Sequence, residues 1–339
     1  MNTQTSILIV GAGAVGGITA ALMKQKGFDV TLVCKDPELA RKISYSGLHI
    51  FGYCGDRRIR IPTVESLDKI NGQADTVFIA TKATQLSQVA HAAIPLLKAT
   101  SRVVSMQNGI VEEQLSRIVG PDRTVGCVVG FGATLHEPGF VEMTSGGGMI
   151  VGYLDRPADN ALSEIVRMLS SVVPVNTTTQ LMSELYSKLI INSCTSTLGA
   201  ISGLNLGSLL KIKRARQLFI AITREAIRVA EAMHLTVSPF AGKVKYHSLL
   251  KQNPLRQHLF IRLFGQKYKN LRSSNLRSLE RGRKTEIDFL NGYIVSQGDT
   301  HGVETPVNKR LVLMVHEIEN KKRPITPMNL EDELFDPHL

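Results

Sequence analysis

Residues 7–17 read ILIVGAGAVGG, and their pattern indicates the fold class. A short apolar run rich in β-branched residues leads into the spacing G-x-G-x-x-G, and an apolar, alanine-rich segment follows at residues 18–23. Strand, tight glycine turn and helix in this order are typical of the first βαβ unit of a dinucleotide-binding fold. A purely structural glycine turn is the alternative, but the flanking strand and helix favour a dinucleotide site.

Each glycine has a physical reason in such a unit. Gly11 allows the tight turn, Gly13 lets the backbone approach a pyrophosphate, and Gly16 lets the helix pack closely on the strand. The N–H groups and the dipole of the helix N-terminus then face the phosphates. The predicted phosphate-binding residues are Gly11, Ala12, Gly13, Ala14, Val15 and Gly16.

The composition indicates a soluble globular protein. The chain has 339 residues, enough for two domains, with 43% hydrophobic and 20% charged residues. No apolar run reaches the roughly 18 residues that a membrane span needs, so no span is expected. The four cysteines are scattered without metal-ligand spacing, which predicts no metal site and a reducing, cytoplasmic location.

Positive charge is concentrated in the second half of the chain. Residues 179–339 carry 24 Lys and Arg against 14 Asp and Glu, whereas residues 1–178 carry 16 against 15. Between Glu231 and Glu280 there are nine Lys and Arg and no acidic residue. Such a region suits an anionic substrate, an acidic membrane surface or nucleic acid, although a solvated helical surface is the commoner interpretation. No nucleic-acid partner is expected, because no nucleic-acid motif accompanies the charge.

The end of the second strand, expected at residues 29–34, bears on the choice of cofactor. An acidic residue at this strand end binds the ribose hydroxyls of NAD, whereas a cation suits the 2′-phosphate of NADPH. Lys35 follows the strand directly. Asp36 has a spacing suited to NAD, but it precedes Pro37 and fits a turn or a helix cap equally well. The sequence therefore favours NADPH over NADH, through Lys35.

Later strands of the first domain alternate with helices. Strands are expected at residues 76–80, 102–106 and 124–129, with helices at 84–97 and 111–119. This alternation predicts a parallel, doubly wound sheet whose ligands bind at the carboxyl ends of its strands. Lys82 and Asn108 follow two of those ends. A surface lysine and an Asn-Gly turn are the ordinary alternatives, but the shared edge favours a binding role.

Short strands are expected to close the first domain. Residues 140–143 and 148–153 predict two strands joined by the Ser-Gly-Gly-Gly turn at 145–148, followed by a helix at 158–171 and a strand at 174–175. We predict an α/β fold: an N-terminal Rossmann-type doubly wound parallel sheet over residues 1–178, then an all-helical C-terminal domain over 179–325. An extended or mobile tail is expected over 326–339.

The second half has helical periodicity. Helices are expected at residues 184–201, 213–233 and 307–320. Lys188 and Asn192 are four residues apart and share one face of an otherwise apolar helix, so they are either satisfied in the core or line a cleft. Residues 285–292 predict a helix start with Thr285 as N-cap and Asp288 as its acidic partner. Capping is therefore the alternative role for Glu286.

Taken together, these motifs resemble the ketopantoate reductase (2-dehydropantoate 2-reductase) family over most of the chain. The resemblance rests on residues 11–16, 81–83, 108–109, 184–192, 285–292 and 301–306. It implies a Rossmann domain and a helical domain with the active site in the cleft between them, and a homodimer. It also implies NADPH-dependent reduction of a 2-keto acid, giving pantoate from 2-dehydropantoate on the route to coenzyme A.

The same resemblance implies roles for individual residues. Lys188 would protonate the carbonyl oxygen as hydride arrives, and Glu286 would contact the substrate as its catalytic partner. An ammonium suits this reduction, because negative charge builds on the oxygen in the transition state. The implied substrate-binding residues are Asn108, Asn192, Ser196 and Ser274. The implied cofactor contacts beyond the glycine turn are Lys35, Lys82, Asn108 and Glu286.

Two positions depart from the family pattern. A second asparagine, eight residues after the lysine, is Ser196 here, and an acidic residue four positions after the family serine is Ser278. These departures leave the cofactor and the reaction type in place but weaken the identification of the substrate. The alternatives are a reductase of another branched 2-keto acid and a non-enzymatic NADPH-binding paralogue.

Overall fold

A computed structural model describes residues 6–242 and 244–338, apart from the side chains of residues 337 and 338. The chain divides into two units, which are described one at a time. The first unit comprises the described chain up to Gln107 together with Val111–Leu181. The second comprises Asn108–Ile110 and the described chain from Met182 onwards. The segment after one strand of the first unit therefore belongs to the second unit.

Twelve strands occur in the described part of the first unit. They are β1 Ser6–Val10, β2 Asp29–Val33, β3 Leu48–Gly52, β4 Arg57–Ile59, β5 Thr63–Val64, β6 Ala74–Ile79, β7 Leu97–Ser105, β8 Thr124–Val129, β9 Gly132–Glu137, β10 Phe140–Ser145, β11 Met149–Gly152 and β12 Val175–Thr177. The main sheet has the order β12-β11-β8-β7-β6-β1-β2-β5. The six strands from β8 to β5 are parallel, and β11 is antiparallel to β8. The predicted doubly wound parallel sheet is confirmed.

Five helices connect these strands: α1 Ala14–Gln25, α2 Pro37–Ser46, α3 Leu86–Ala93, α4 Glu112–Val119 and α5 Asn160–Leu169. The chain moves outward from β1 to β2 on one side and returns to β6 on the other side of β1. This reversal is the switch point at which doubly wound sheets bind their ligands. The central strands are buried on both faces, with Ile7, Ile9 and Phe78 fully covered, which explains their unbroken apolar sequences.

The glycine-rich segment after β10 does not make the predicted hairpin, so that prediction was wrong. β10 pairs with β3 and β9 in a separate four-stranded sheet of order β4-β3-β10-β9, whereas β11 joins the main sheet. A Cβ on Gly147 would lie 2.2 Å from the carbonyl oxygen of Gly130. The glycines are therefore needed for a close backbone crossing between two sheets.

The second unit is helical, as predicted. Its helices are α6 Leu181–Ser202, which begins on the last residue of the first unit, then α7 Leu206–Leu209, α8 Lys213–Ala232, α9 Tyr246–Leu250, α10 Pro254–Lys267, α11 Ser274–Glu280, α12 Asn291–His301 and α13 Pro306–Glu319. A buried polar network ties four of them together. The Glu225 carboxylate of α8 accepts the Val307 and Asn308 N–H groups at 2.8 and 2.9 Å, which fixes the start of α13. Asn291 of α12 bonds Asn308 at 2.9 Å and the Ser193 carbonyl of α6 at 3.3 Å.

The C-terminal segment differs from the extended or mobile tail expected from the sequence. It forms 3-10 turns at Pro327–Glu331 and Glu333–His338, and Leu330 and Phe335 are buried. The Asn329 side chain donates to the Ile201 carbonyl at 2.8 Å, and Asp332 pairs with Arg310 at 2.6 Å. The prolines and acidic residues suggested a solvated end, but its apolar residues find cover on the helical unit.

Candidate active site

The three motif glycines of the turn after β1 differ in the space around them. Gly11 has φ +116°, and a Cβ there would lie 2.9 Å from the Ala80 backbone. A Cβ on Gly16 would lie 2.1 Å from the Gly11 carbonyl oxygen. In contrast, a Cβ on Gly13 would meet no atom within 4 Å. Internal packing therefore explains Gly11 and Gly16, while the open space at Gly13 fits the close approach of a ligand.

The start of α1 suits an anion. Gly13 is the N-cap residue in an extended conformation, no side chain caps the helix, and no acidic residue stands in its first turn. Helix N-termini attract phosphates through their unsatisfied N–H groups and dipole. The residues present thus fit the diphosphate of a dinucleotide.

Lys35 and Asp36 lie two and three residues after the end of β2 and have different surroundings in the structure. Lys35 is exposed to solvent. Asp36 is the N-cap of α2, and its Oδ1 accepts the N–H groups of Glu38 at 3.0 Å and Leu39 at 3.1 Å. The capping alternative for Asp36 therefore holds, and Lys35 is left as the strand-end cation.

Gln107 organises the carboxyl ends of β6 and β7. Its Nε2 donates to the Thr81 carbonyl at 3.1 Å and to the Lys82 carbonyl at 2.9 Å, which fixes the turn that carries the half-buried Lys82. Gln107 is itself buried. Gln107 is not among the site residues predicted from the sequence, although its place at a strand end was the available signal.

Lys188 lies on the one open stripe of α6. Glu184, Lys188, Asn192 and Ser196 are half-buried, whereas the other residues from Ser183 to Ser202 are buried. These four positions are spaced by four residues and therefore form one line along the helix. From Ser183 onwards, the polar side chains of α6 are accessible only along this line, which is the arrangement expected of a ligand-binding face.

Asn108 joins this stripe within the second unit. The Asn192 amide donates to Asn108 Oδ1 at 3.5 Å, the long limit for a hydrogen bond. The adjacent Gly109 has φ +88°, and a Cβ there would lie 2.5 Å from the Phe289 carbonyl oxygen. Glycine is therefore needed for the 108–110 segment to approach the turn that begins at Glu286.

The Glu286 turn is built differently from the predicted capping box. The Thr285 N–H and hydroxyl both donate to Glu319 Oε1 at 2.7 Å, and Asp288 pairs with His316 at 2.9 Å. Residues 287–289 form a 3-10 turn before α12, and the Glu286 side chain does not cap it. Among the described residues, neither the reciprocal bond from Asp288 nor a capping role for Glu286 is found, although the Thr285 hydroxyl accepts the Ile287 N–H at 3.2 Å. Glu286 is only 7% exposed.

Electrostatic contacts hold this turn to α13. Burial alone would raise the pKa of Glu319, but hydrogen bonds from Thr285 and His316 outweigh it and lower that pKa. Burial would likewise lower the pKa of His316, but its bonds to Glu319 and Asp288 raise it. The ion pairs thus favour the charged forms that fasten the Glu286 turn.

The two serines at the start of α11 differ in their exposure to solvent. Ser274, the position implied by the resemblance, is exposed. Its neighbour Ser273 is buried, caps α11 through the Leu276 N–H at 3.1 Å, and donates to the Ser196 carbonyl at 2.6 Å. Ser273 therefore anchors α11 against α6 at the position where the family pattern has an asparagine.

The second unit thus brings together the elements that carry Asn108, Lys188, Asn192, Ser196 and Glu286. The first unit carries the glycine turn, Lys35 and Lys82. Among the described residues, no group of three His, Cys, Asp or Glu side chains is arranged to hold a metal ion. All four cysteines are free thiols. In the described chain we find no helix with the length and apolar character needed to cross a bilayer.

Family models match both halves of the chain. Residues 7–156 match the family model "Ketopantoate reductase PanE/ApbA", and residues 180–319 match the model of its C-terminal domain. The chain is 26% identical to a 2-dehydropantoate 2-reductase of Pyrococcus horikoshii, over 91% of this chain and 96% of the relative. It is 25% identical to the enzyme of that name from Archaeoglobus fulgidus, over 93% of this chain and 98% of the relative.

Solved structures show the same fold. A PanE/ApbA family ketopantoate reductase from Ralstonia eutropha aligns with a TM-score of 0.80 at 26% identity, over 94% of this chain and 99% of the other. A D-mandelate dehydrogenase bound to NADH and anilino(oxo)acetate aligns with a TM-score of 0.81 at 23% identity, over the same shares.

Proposed function

The chain belongs to the ketopantoate reductase family of nicotinamide-dependent oxidoreductases, and we propose that it reduces 2-dehydropantoate to pantoate with NADPH. The observation that carries the proposal is the open stripe of α6, where Lys188 and Asn192 are the only lysine and asparagine of that helix. A reductase of a 2-keto acid needs a proton donor close to groups that bind the substrate carboxylate. The ammonium of Lys188 and the amide of Asn192 suit these two tasks.

Lys188 is the proposed proton donor. The nicotinamide supplies hydride to the carbonyl carbon when it is bound. The Lys188 ammonium then stabilises the charge that develops on the carbonyl oxygen and transfers a proton to it, which completes the hydroxyl group. Asn108 and Asn192 orient the substrate through their amides, with Ser196 and Ser274 as further substrate contacts. Glu286 accepts a hydrogen bond from the substrate and completes the catalytic pair.

Steady-state kinetics test the proposed reaction. Ketopantoate, 2-ketoisovalerate and other branched 2-keto acids are compared with NADPH as the reductant. The highest kcat/KM is expected for ketopantoate. A preference for another acid would replace the proposed substrate while keeping the reaction type, and the absence of turnover with every acid would favour a non-enzymatic NADPH-binding protein.

The cofactor preference is proposed to depend on Lys35. Replacing Lys35 with alanine should raise the KM for NADPH about tenfold, because a hydrogen-bonded cation on the 2′-phosphate is lost. The KM for NADH should stay nearly constant, since NADH lacks that phosphate. Initial rates with both cofactors measure the two values. The exposed Lys42 of α2 provides a matched control as Lys42→Ala. Equal changes for NADPH and NADH would exclude Lys35 as the phosphate ligand.

We also propose a homodimer, formed through the exposed face of α10. Leu255, Leu259 and Leu263 are spaced by four residues and are 83%, 58% and 53% exposed. Apolar side chains in such a row usually mark an interface. In a two-fold contact the same row meets itself, which buries leucine against leucine.

We also propose the cytoplasmic location that is expected from the free thiols.

The dimer has a distinctive expected salt dependence. Arg256 and Arg262 flank the leucine row and are exposed, so a two-fold contact brings like charges together. Raising the salt from about 0.05 M to about 0.5 M should therefore strengthen the dimer by screening. Sedimentation equilibrium measures this, with Leu259→Lys expected to give monomers and the exposed Leu313→Lys of α13 as control. Binding to nucleic acid or anionic lipid that weakens with salt would instead support an anionic partner.

A further inference from the structure

The side-chain amide of Asn275 stands out in the second unit. Asn275 is only 1% exposed, and its Oδ1 accepts the Glu286 N–H at 3.2 Å. Its Nδ2 is buried and has no hydrogen-bond partner among the described residues. Of the two polar atoms of an amide only the oxygen accepts an N–H, so the bond from Glu286 fixes which atom is the oxygen. Two N–H donors are therefore buried beside the Glu286 backbone.

Buried amide donors rarely remain unsatisfied in a folded protein, because their desolvation is not compensated. An unmet pair of donors next to a predicted substrate residue is therefore an indication of a ligand acceptor. The acceptor that matches two N–H donors in a 2-keto acid is the carboxylate, which offers two oxygens and a negative charge.

Asn275 belongs to a helix that contacts α6 at Ser196, the position where the family pattern has a second asparagine. Asn275 lies two residues after Ser273, whose hydroxyl donates to the Ser196 carbonyl at 2.6 Å. The start of α11 therefore contacts α6 where a serine replaces the second asparagine of the family pattern. The serine side chain is shorter and lacks the amide donors. Asn275 brings amide donors to the same region from the neighbouring helix.

We propose that Asn275 is a substrate-binding residue whose Nδ2 donates to the carboxylate of the 2-keto acid, in place of the amide absent at position 196. The inference rests on the proposed function and assigns part of its specificity. Asn275 also positions Glu286, since the same side chain holds the Glu286 N–H through its oxygen. One amide thus connects the carboxylate subsite to the turn that carries the substrate-contacting glutamate.

The variant Asn275→Asp separates these two roles. Aspartate keeps an oxygen for the Glu286 N–H but replaces the N–H donors with a second oxygen, which repels a carboxylate. The KM for the 2-keto acid should rise at least about tenfold, with the KM for NADPH unchanged. Asn253→Asp is the matched control, because Asn253 Oδ1 also accepts a backbone N–H, from Arg256 at 3.0 Å. An unchanged KM, or a loss confined to kcat, would overturn the carboxylate assignment.

A second pair of variants covers the case in which Asn275→Asp does not fold. Asn275→Leu removes the donors at similar volume and should also raise the KM. Adding Ser196→Asn to Asn275→Leu should restore most of the lost affinity, because an amide donor returns from α6. A merely structural role of Asn275 predicts no rescue, and failure of rescue in a folded double variant counts against the proposal. Thermal unfolding of each variant checks the fold.

Failure of the inference can be told from failure of the proposed function. If the wild type reduces none of the 2-keto acids, the proposed function fails. The role of Asn275 in carboxylate binding is then tested by a binding measurement. Oxalate, a stable dicarboxylate, is titrated calorimetrically into the wild type and the Asn275 variants in the presence of NADP⁺. Binding that the variants lose supports the subsite whatever the reaction. Equal binding, or no binding to the wild type, overturns it.

Discussion

Replacing Lys188 with alanine is expected to lower kcat at least about 100-fold, because the proposed proton donor and the cation facing the developing oxyanion are lost together. The Kd for NADPH should remain within about twofold, since the cofactor residues of the glycine turn are untouched. Single-turnover kinetics with ketopantoate measure the chemical step, and quenching of NADPH fluorescence measures cofactor binding.

Two controls sharpen this result. Lys309→Ala removes an exposed lysine from α13 of the same unit and should leave kcat unchanged. Lys188→Arg keeps the positive charge but does not release a proton at neutral pH, so it should recover little of the rate. A Lys188→Ala variant with the wild-type rate would remove Lys188 from the mechanism.

Replacing Gly13 with valine is expected to weaken NADPH binding at least about 100-fold, a loss of about 2.7 kcal/mol of binding free energy. The protein should lose at most about 1 kcal/mol of stability, at the N-cap of α1. Gly13 has φ −78° and ψ −168°, an extended conformation open to any residue, and a Cβ there meets no atom within 4 Å. The side chain would instead occupy the space that we assign to the pyrophosphate. Calorimetric titration measures the affinity, and thermal unfolding measures the stability.

The neighbouring Gly16 gives the matched contrast. A Cβ on Gly16 would lie 2.1 Å from the Gly11 carbonyl oxygen, so Gly16→Ala must move the backbone. We expect it to lose about 1–3 kcal/mol of unfolding free energy as well as cofactor affinity. If Gly13→Val lowered the midpoint of thermal unfolding as much as Gly16→Ala does, packing rather than cofactor access would explain Gly13.

Much of the fold was predictable, because local patterns fix it. The apolar strands, the glycine turn and the alternation with helices predicted the doubly wound sheet that is observed. The pairing of β10 was not predictable in this way. A strand–glycine–strand pattern resembles a hairpin, whereas the choice of partner depends on β3, about 90 residues earlier in the chain. Likewise, the burial of Phe335 depends on a surface that no local pattern shows.

Part of the candidate site was likewise predictable from local spacing, and part was not. Helical spacing placed Lys188 and Asn192 on one face, and the structure adds that this face is the open one. Sequence reasoning missed Asn275, because a single asparagine in a basic, serine-rich segment carries no spacing signal. Its importance comes from a hydrogen bond to Glu286, 11 residues away, and from burial of its second amide atom.

The fold class and the types of residue available for the chemistry were predictable from short-range spacing, since a strand, a turn and a helix are each specified within a few residues. The family was implied by the resemblance of several motifs taken together. Only the tertiary structure decided which polar side chains are satisfied by the protein and which keep hydrogen-bonding capacity. Asp36 is taken up as a helix cap, whereas Asn275 keeps two donors. Whether a buried polar group is hydrogen-bonded depends on partners that folding brings together from distant parts of the chain, so no local pattern can specify it.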